Sequence, residues 1–170
     1  GARPMLLNDA NCFVLAETRL GAGRGAATVV GITLGTGVGG GLVLDGALWI
    51  GRHGAAGEIG HMPVVIDGPL CACGGRGCLE ALIGTRAILD RYRSLALASG
   101  VGGASAERIE AVPLTVRGLA RRAEEGEAAA IATFGETGRI LGLALAGLTQ
   151  LLDPDLFVVG GGLSRSAEFF

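Results

Sequence analysis

Residues 54–80, GAAGEIGHMPVVIDGPLCACGGRGCLE, contain four side chains that can ligate a metal: His61, Cys71, Cys73 and Cys78. Three thiolates and one imidazole fill the tetrahedral coordination of zinc and leave no position for water, so a bound ion is expected to be structural. The glycines between the last two cysteines give the backbone the freedom that a tight metal loop needs. Free thiols and disulfides are the alternatives, although Cys71 and Cys73 are too close in sequence to pair easily.

Two glutamates, Glu58 and Glu80, flank the metal-binding pattern. A zinc ion held by this segment would therefore fix two carboxylates close together in space. Cys12 lies far upstream in an apolar helical pattern, and we interpret it as a core residue rather than as a ligand. No signal peptide is visible, so an oxidising compartment, where disulfides persist, is not indicated.

The composition predicts a single domain with a real core and no charged macromolecular partner. The chain has 170 residues, of which 49% are hydrophobic, and a net charge of −2. This balance favours neither nucleic acid nor a membrane surface as a partner, and no uninterrupted apolar run has the character of a membrane helix. Glycine accounts for 32 residues, and its clustering indicates ligand loops lined by backbone.

The first motif follows a short strand predicted at residues 1–7. Asn8 and Asp9 precede a helical pattern that runs to about Leu20, and either residue suits the N-cap of that helix. The alternative is a catalytic carboxylate at a helix start, because in phosphoryl transfer an aspartate takes the proton of the attacking hydroxyl. Asn8 and Asn11 carry both donors and acceptors, which suit sugar hydroxyls.

A glycine-rich loop at 35–41 is predicted to join two antiparallel strands. It lacks the Gly-Lys-Ser/Thr ending of a Walker A loop, and no helix follows it, so it is neither that motif nor a Rossmann fingerprint. It is either a turn that binds phosphate through backbone N–H groups or a purely structural hairpin. The strands around it are predicted at 28–34, 42–45 and 47–50.

The C-terminal half is predicted to be mostly helical, with helices at 81–98, 113–125 and 127–152 and a small, polar connection at 99–112. The stretch 138–152 is apolar almost all round, which predicts a buried helix. A short strand at 156–159 then leads into three glycines and a helix that starts near Ser164. A strand that runs into glycines at a helix start is typical of nucleotide sites.

Four segments together resemble the ROK family of sugar kinases and sugar-responsive repressors. The first is Gly57-Glu58-Ile59-Gly60-His61 with Cys-x-Cys-Gly-x-x-Gly-Cys-x-Glu at 71–80; the others are NDAN at 8–11, ITLGTGVGGGL at 32–42 and LLDPDLFVVGGGLS at 151–164. The residues of the segments NDANCF and DPDLFVVGGGLS are most similar to those of bacterial N-acetylglucosamine kinases and fructokinases. Leu7 departs from many glucokinase-type members, which have glutamate there.

The resemblance implies an α/β fold, namely an actin-like ATPase (ribonuclease H-like) lobe in which helices flank a mixed sheet and a structural zinc loop is added. Residues 1–170 would form a single C-terminal-type lobe, with a zinc- and sugar-binding insertion at 52–80. The N-terminal phosphate-binding lobe, with its Asp-x-Gly-Gly-Thr motif, is absent from the sequence. The chain is therefore expected to be a fragment that is inactive alone.

The resemblance also implies ATP- and Mg²⁺-dependent phosphorylation of a hexose or N-acetylhexosamine at its 6-hydroxyl, by a cytoplasmic homodimer with structural zinc. In the alternatives, the parent protein is a repressor whose DNA-binding domain is missing here, or the chain is a sugar-binding module without turnover. Asp9 and the glycine loops favour the kinase. By this resemblance Asp9 is the general base, and the sugar ligands are Asn8, Glu58, His61 and Glu80. The resemblance assigns the phosphate turn to Gly35, Thr36 and Gly37 and the adenosine turn to Gly160, Gly161 and Gly162. The zinc ligands that it implies are His61, Cys71, Cys73 and Cys78.

Overall fold

The computed structural model of the chain describes residues 6–99 and 114–169. The predicted strand at 1–7 and the connection at 99–112 therefore lie almost wholly outside the described residues. The elements are α1 (Asp9–Leu20), β1 (Val29–Leu34), β2 (Val38–Leu44), β3 (Ala47–Trp49), a 3-10 turn (Ile59–His61), α2 (Leu79–Ile83), α3 (Thr85–Ala98), α4 (Val116–Glu124), α5 (Ala128–Leu152), β4 (Leu156–Gly160) and a second 3-10 segment (Gly162–Phe169).

A four-stranded mixed sheet, in the order β3-β2-β1-β4, lies at the centre of the fold. β1 and β2 are antiparallel and pair from Val29 opposite Val43 to Leu34 opposite Val38. β3 continues the antiparallel hairpin, whereas β4 joins the other edge of β1 in parallel. Asp155 fixes the start of β4, because its Oδ2 accepts the N–H groups of Ala27 and Thr28, each at 2.8 Å. The predicted α/β class with a mixed sheet is confirmed.

Helices cover both faces of this sheet. On one face, Val14 of α1 packs with Val29, Val43 and Val158 in a small apolar cluster. On the other face, the alternate side chains of β1 enter the main core together with α2, α3, α4 and α5. β1 is therefore buried on both sides, which explains its continuous apolar sequence.

The glycines at 39–41 belong to β2, so the predicted loop at 35–41 is wrong in its extent: the turn itself spans only 35–37. Their role is to let other segments approach the sheet closely. A Cβ on Gly41 would lie 2.7 Å from Val14 Cγ1, and one on Gly31 in β1 would lie 2.6 Å from Val14 Cβ. Gly40 faces the opposite side, where a Cβ would collide with the Gly57 carbonyl. These strand glycines therefore set the distances of α1 and of residues 57–59 from the sheet.

Gly31→Ala is expected to lower the free energy of unfolding by about 1–3 kcal/mol, because the added methyl group overpacks the contact with Val14. Gly142→Ala is the matched control: this glycine is exposed within α5, and a methyl group added there would meet no atom outside its own helix within 4 Å. The control should raise stability by up to ~1 kcal/mol through helix propensity. Urea denaturation of both variants measures the difference, and equal midpoints would contradict the close-approach role of Gly31.

Two helical predictions need correction. The helix predicted at 81–98 is two helices, because the extended backbone of Gly84 (φ −63, ψ 159) separates α2 from α3. The stretch 138–152 of α5 is not buried all round, since Leu143 and Leu151 are exposed. Its small residues at 142, 146 and 147 also face away from the core. Among the described residues, α5 is the one helix with the length and composition of a membrane span, a property that core helices share.

A polar network holds α4 against its neighbours. The hydroxyl of buried Tyr92 donates to Glu127 Oε1 (2.6 Å), and Arg122 Nη1 donates to that hydroxyl (2.7 Å). Arg122 also lies over the Tyr92 ring, 5.6 Å from its centroid. Burial, reinforced by the Glu127 carboxylate, raises the pKa of Tyr92, so the phenol stays protonated as a donor. The network joins α3, α4 and the start of α5.

Candidate active site

A cavity of about 450 Å³ lies at the end of the sheet where β1 turns into β2. Its lining comes from segments that are distant in the sequence. Most of the site residues predicted from the sequence meet here. Those outside the lining are Asn8, Gly160 and the three cysteines at 71, 73 and 78. The lining residues are Asp9, Thr33, Leu34, Gly35, Thr36, Gly37, Val38, Gly39, Glu58, His61, Glu80, Gly161 and Gly162.

The start of α1 separates the two roles proposed for the Asn-Asp pair. Asn8 is the N-cap, and its Oδ1 accepts the N–H of Asn11 at 2.7 Å. Asp9 is the first helical residue; its Oδ1 accepts the N–H of Ala10 at 2.9 Å, and the residue lines the cavity. The positive end of the helix dipole favours a negative charge at this position. The cap is thus Asn8, and Asp9 is available for chemistry.

Asn8 and Asn11 differ in their surroundings. Asn8 Nδ2 donates to Glu58 Oε1 at 3.4 Å, which connects α1 to the segment before the metal loop. Asn11 is 5% exposed, lies against Gly41, and is not part of the cavity lining. Of the two side chains that suit sugar hydroxyls, Asn8 is therefore the one that hydrogen-bonds a residue of the cavity lining within the described part of the chain.

The turn at 35–37 presents free backbone N–H groups. Gly35 N–H donates to the Gly37 carbonyl at 3.0 Å, which closes the turn. Within the described residues, no acceptor is paired with the N–H groups of Thr36 and Gly37. Two neighbouring unpaired N–H groups in a glycine-rich turn form an anion-binding concavity. This geometry is compatible with the phosphate role predicted for the turn.

Glu80 contacts this turn, which the sequence did not reveal. Its Oε2 accepts the N–H of Val38 at 3.0 Å, immediately after the turn. A side chain at Gly37 would collide with the same carboxylate. Glu80 therefore connects the helix that follows the metal loop to the turn, in addition to lining the cavity.

The three glycines at 160–162, predicted to form an adenosine turn, have different surroundings. A Cβ on Gly160 would lie 2.6 Å from the Phe13 ring, so this glycine allows α1 to pack on β4 and does not line the site cavity. Gly161 has φ +95, a conformation that favours glycine. Gly161 and Gly162 line both the site cavity and a second cavity of about 720 Å³ beside α4.

The second cavity has basic walls that were not predicted from the sequence. Arg117 and Arg121 of α4 line it together with Glu124 and Ser166. The i, i+4 spacing of the two arginines places them on one face of α4. The sequence therefore indicated a basic face on this helix. It did not indicate that the helix would lie beside Gly161 and Gly162.

The metal-binding pattern forms a compact cluster. The ligand atoms of His61, Cys71 and Cys73 lie within 4.8 Å of one another. His61 Nδ1 is 3.7 Å from Cys71 Sγ, and Cys73 Sγ is 3.7 Å from Cys78 Sγ. Zinc–sulfur bonds of about 2.3 Å at tetrahedral angles would separate two sulfurs by about 3.8 Å. His61, Cys71 and Cys73 are therefore close enough together to hold a metal ion, and Cys78 adjoins this group through Cys73. Cys12 is exposed on α1, so its interpretation as a core residue is wrong.

The cysteines of the cluster differ in acidity. A hydrogen bond from the Gly75 backbone, assisted by the neighbouring thiols, lowers the pKa of Cys73. Burial raises the pKa of the Cys78 thiol to about 11. Metal coordination would deprotonate such thiols outright. His61 lines the cavity while its Nδ1 is close to a cysteine, so it joins the cluster to the site.

The model of the ROK family matches residues 3–170. This chain belongs to the ROK family. It is 39% identical over 175 residues to a glucokinase of Thermotoga maritima, covering 99% of this chain and 53% of that protein. An N-acetyl-D-glucosamine kinase of Vibrio cholerae is 35% identical, over 93% of this chain and 51% of the relative. The chain thus spans about half the length of the curated relatives it matches.

Solved ROK structures share the fold. The ROK family glucokinase of Streptomyces griseus, in complex with glucose and AMPPNP, superposes with a TM-score of 0.86 at 38% identity, covering 95% of this chain and 53% of that one. A ROK family transcriptional regulator, a homolog of the E. coli MLC protein, gives 0.82 at 30% identity, over 96% and 40%. The expected mixed sheet with flanking helices is confirmed, and it matches solved ROK structures.

Proposed function

We propose that this chain is the sugar- and phosphate-binding lobe of an ATP-dependent kinase that phosphorylates the 6-hydroxyl of a hexose or N-acetylhexosamine. The observation that carries the proposal is the meeting of Asp9, Glu58, His61 and Glu80 with the turn at 35–37 in one cavity. Carboxylates and an imidazole suit sugar hydroxyls, and a turn with free N–H groups suits phosphate. The similarity to kinases for glucose and for N-acetylglucosamine supports this pairing of ligands.

In the proposed reaction, the Asp9 carboxylate accepts the proton of the 6-hydroxyl as that oxygen attacks the γ-phosphorus. The new O–P bond forms while the bond to the β-phosphate oxygen breaks, and ADP leaves. Mg²⁺ bound to ATP would neutralise negative charge on the phosphates. Asp9 suits the role of base because it lines the cavity at a helix start and Asn8, not Asp9, caps the helix.

The remaining residues bind and orient the substrates. Glu58 and Glu80 accept hydrogen bonds from hydroxyl groups of the sugar, and His61 donates one from the ring nitrogen that does not bind the metal. Asn8 orients Glu58 through their 3.4 Å contact. The N–H groups of Thr36 and Gly37 hold phosphate oxygens. Gly161 and Gly162 lie between the cavity that holds the phosphates and the cavity beside α4, which has room for the nucleoside. Gly160 contributes to this side only by allowing the packing of Phe13.

We further propose that His61, Cys71, Cys73 and Cys78 hold a structural zinc ion. A closed set of three thiolates and one imidazole leaves zinc no open position for catalysis, so the ion stabilises the loop that carries His61 and precedes Glu80. In this arrangement His61 binds zinc through one ring nitrogen and the sugar through the other. Residues 52–80 then act as one zinc- and sugar-binding insertion.

Membership of the ROK family supports the organisation that we propose for the parent protein. Residues 1–170 correspond to the C-terminal-type lobe, and an N-terminal lobe with the first phosphate loop would complete the ATP site. The parent is proposed to be a cytoplasmic homodimer with no membrane or nucleic-acid partner, in keeping with the net charge of −2. The isolated lobe is expected to be inactive, because sugar and ATP would lie between the lobes.

A coupled ADP-release assay with Mg-ATP tests this function on the chain and on the complete reading frame. The sugars are N-acetylglucosamine, N-acetylmannosamine, glucose, fructose and mannose. Turnover by the complete protein alone is the expected result. Sugar binding without turnover by the complete protein would instead support the repressor, the alternative favoured by the structural match to a ROK transcriptional regulator.

A further inference from the structure

The turn at 35–37 is held from behind by the start of α3. The carbonyl oxygen of Gly35 accepts two hydrogen bonds from the same residue: Thr85 Oγ1 donates at 2.8 Å, and Thr85 N–H donates at 3.2 Å. Gly84, just before it, packs beside the Thr36 carbonyl, where a Cβ would lie 3.1 Å from the oxygen. These contacts join residues about fifty positions apart in the sequence, so they are tertiary rather than local.

The contacts at the turn separate into two sets. The carbonyl side, at Gly35, is bound by Thr85, and the N–H of Val38 after the turn is bound by Glu80. The N–H groups of Thr36 and Gly37 remain unpaired within the described part of the chain. The hydrogen bonds from α2 and α3 thus fix the turn without using the groups that would receive phosphate.

Thr85 itself does not line the site cavity. Its hydroxyl is partly buried and is not used as a helix cap, since Gly84 occupies the N-cap position of α3. Any effect of this hydroxyl on a bound phosphate must therefore act through the position of Gly35. A site needs its binding groups held by supporting hydrogen bonds, because small displacements cost rate and affinity.

We propose that Thr85 is a positioning residue for the phosphate turn: its hydroxyl holds the Gly35 carbonyl so that the N–H groups of Thr36 and Gly37 face the phosphates of ATP. This inference rests on the proposed kinase function. Thr85 also connects the metal loop to the turn, because Cys78 is the N-cap of α2 and α2 leads through Gly84 to Thr85. The metal cluster and the turn are then joined by one short continuous segment, residues 78–85.

Three variants of the complete protein test the proposal. Thr85→Val removes the hydroxyl and keeps the β-branched shape, whereas Thr85→Ser keeps the hydroxyl. Thr149→Val is the matched control, because Thr149 Oγ1 also donates to a backbone carbonyl, that of Leu145 at 2.9 Å, in an exposed part of α5. The measurements are kcat, KM for ATP, KM for sugar, the Kd of Mg-AMPPNP and the melting temperature.

For Thr85→Val we expect kcat/KM for ATP to fall, and the Kd of Mg-AMPPNP to rise, by at least about 10-fold, within the range that a misplaced binding group causes. KM for sugar should change by less than about 2-fold, because Glu80, the proposed sugar ligand that binds beside the turn, does so at Val38 and not at Gly35. Thr85→Ser should restore nucleotide binding, and Thr149→Val should behave as wild type. A loss of affinity for nucleotide without a matching loss of affinity for sugar is a result that a general loss of stability would not produce.

Unchanged nucleotide affinity in Thr85→Val, with an active wild type, would overturn the positioning role alone. Parallel losses of sugar and nucleotide affinity together with a lowered melting temperature would also overturn it, because the residue would then be merely structural. If Thr85→Val does not fold, Thr85→Ser still decides: a Ser variant with weakened nucleotide binding contradicts the hydroxyl mechanism. A wild type that neither turns over nor binds Mg-AMPPNP would overturn the proposed function as well.

Discussion

Asp9→Asn in the complete protein is expected to lower kcat at least about 100-fold, and up to about 10,000-fold, the range that general base catalysis contributes. The amide cannot accept the proton of the 6-hydroxyl. Its oxygen can still accept the N–H of Ala10, as Asp9 Oδ1 does, and Asn8 still caps α1. The geometry of the cavity should therefore survive, and the Kd for sugar should change by less than about 3-fold. Coupled ADP release and calorimetry measure the two quantities.

Asp45→Asn provides the matched control for that experiment. Asp45 is an exposed carboxylate in the β2–β3 turn with φ 51, a left-handed conformation that asparagine adopts readily. The control removes the same charge outside the cavity lining and should retain wild-type turnover. An Asp9→Asn enzyme that kept more than a tenth of wild-type kcat would remove Asp9 from the role of base.

The second large effect is expected for Cys73→Ser, which should lose most of the bound zinc and weaken sugar binding at least about 10-fold. Replacing one thiolate opens the closed ligand set on which structural zinc affinity depends. Cys73 is the best cysteine for this test because it is exposed, whereas Cys71 and Cys78 are buried. A hydroxyl at position 73 adds no buried polar group, so the loss can be assigned to the metal. Metal analysis and sugar titration measure the effects.

Cys12→Ser is the control for the zinc experiment. Cys12 is also an exposed thiol, but it lies on α1 and outside the metal cluster. This variant should keep about one zinc per chain, the stoichiometry of a single tetrahedral site. A Cys73→Ser protein that retained zinc and bound sugar normally would show that the cluster has another role.

The sheet and the cavity were predictable where the pattern was local. The β-branched run at 28–34 predicted β1, and the ligand types between His61 and Cys78 predicted a cluster that does form. The resemblance of four segments then placed Asp9, Glu58 and Glu80 in one site. Local patterns sufficed here because each residue type has few roles at such spacings.

Prediction from the sequence failed where a glycine or an apolar residue has several uses. Gly39 to Gly41 resembled a phosphate loop but are strand residues whose missing side chains admit α1 and residues 57–59. Gly160, which the resemblance assigns to an adenosine turn, has a further use, because its missing side chain admits the Phe13 ring. The apolar residues of α5 predicted burial on all sides, although Leu143 and Leu151 are exposed. In each case the tertiary neighbour, which a single sequence does not show, decides the role.

The hydrogen bonds that support the site were also beyond prediction. Glu80 binds the N–H of Val38, and Thr85 binds the carbonyl of Gly35. Their partners are backbone groups, which every residue has, so residue type gives no signal. Only the packing of α2 and α3 against the turn identifies the donors and acceptors.

The adjacent glycines of β2 have a consequence for the evolution of substrate preference. Gly41 faces α1, which carries the carboxylate at position 9, whereas Gly40 faces the segment that carries Glu58. A side chain at Gly40 would first meet the segment of Glu58, and one at Gly41 would first meet α1, while the hydrogen bond from Asn8 to Glu58 links the two. If the proposed roles hold, substitutions on opposite faces of this one strand would act first on different parts of the site, the sugar-binding segment on one face and the helix of the proton acceptor on the other.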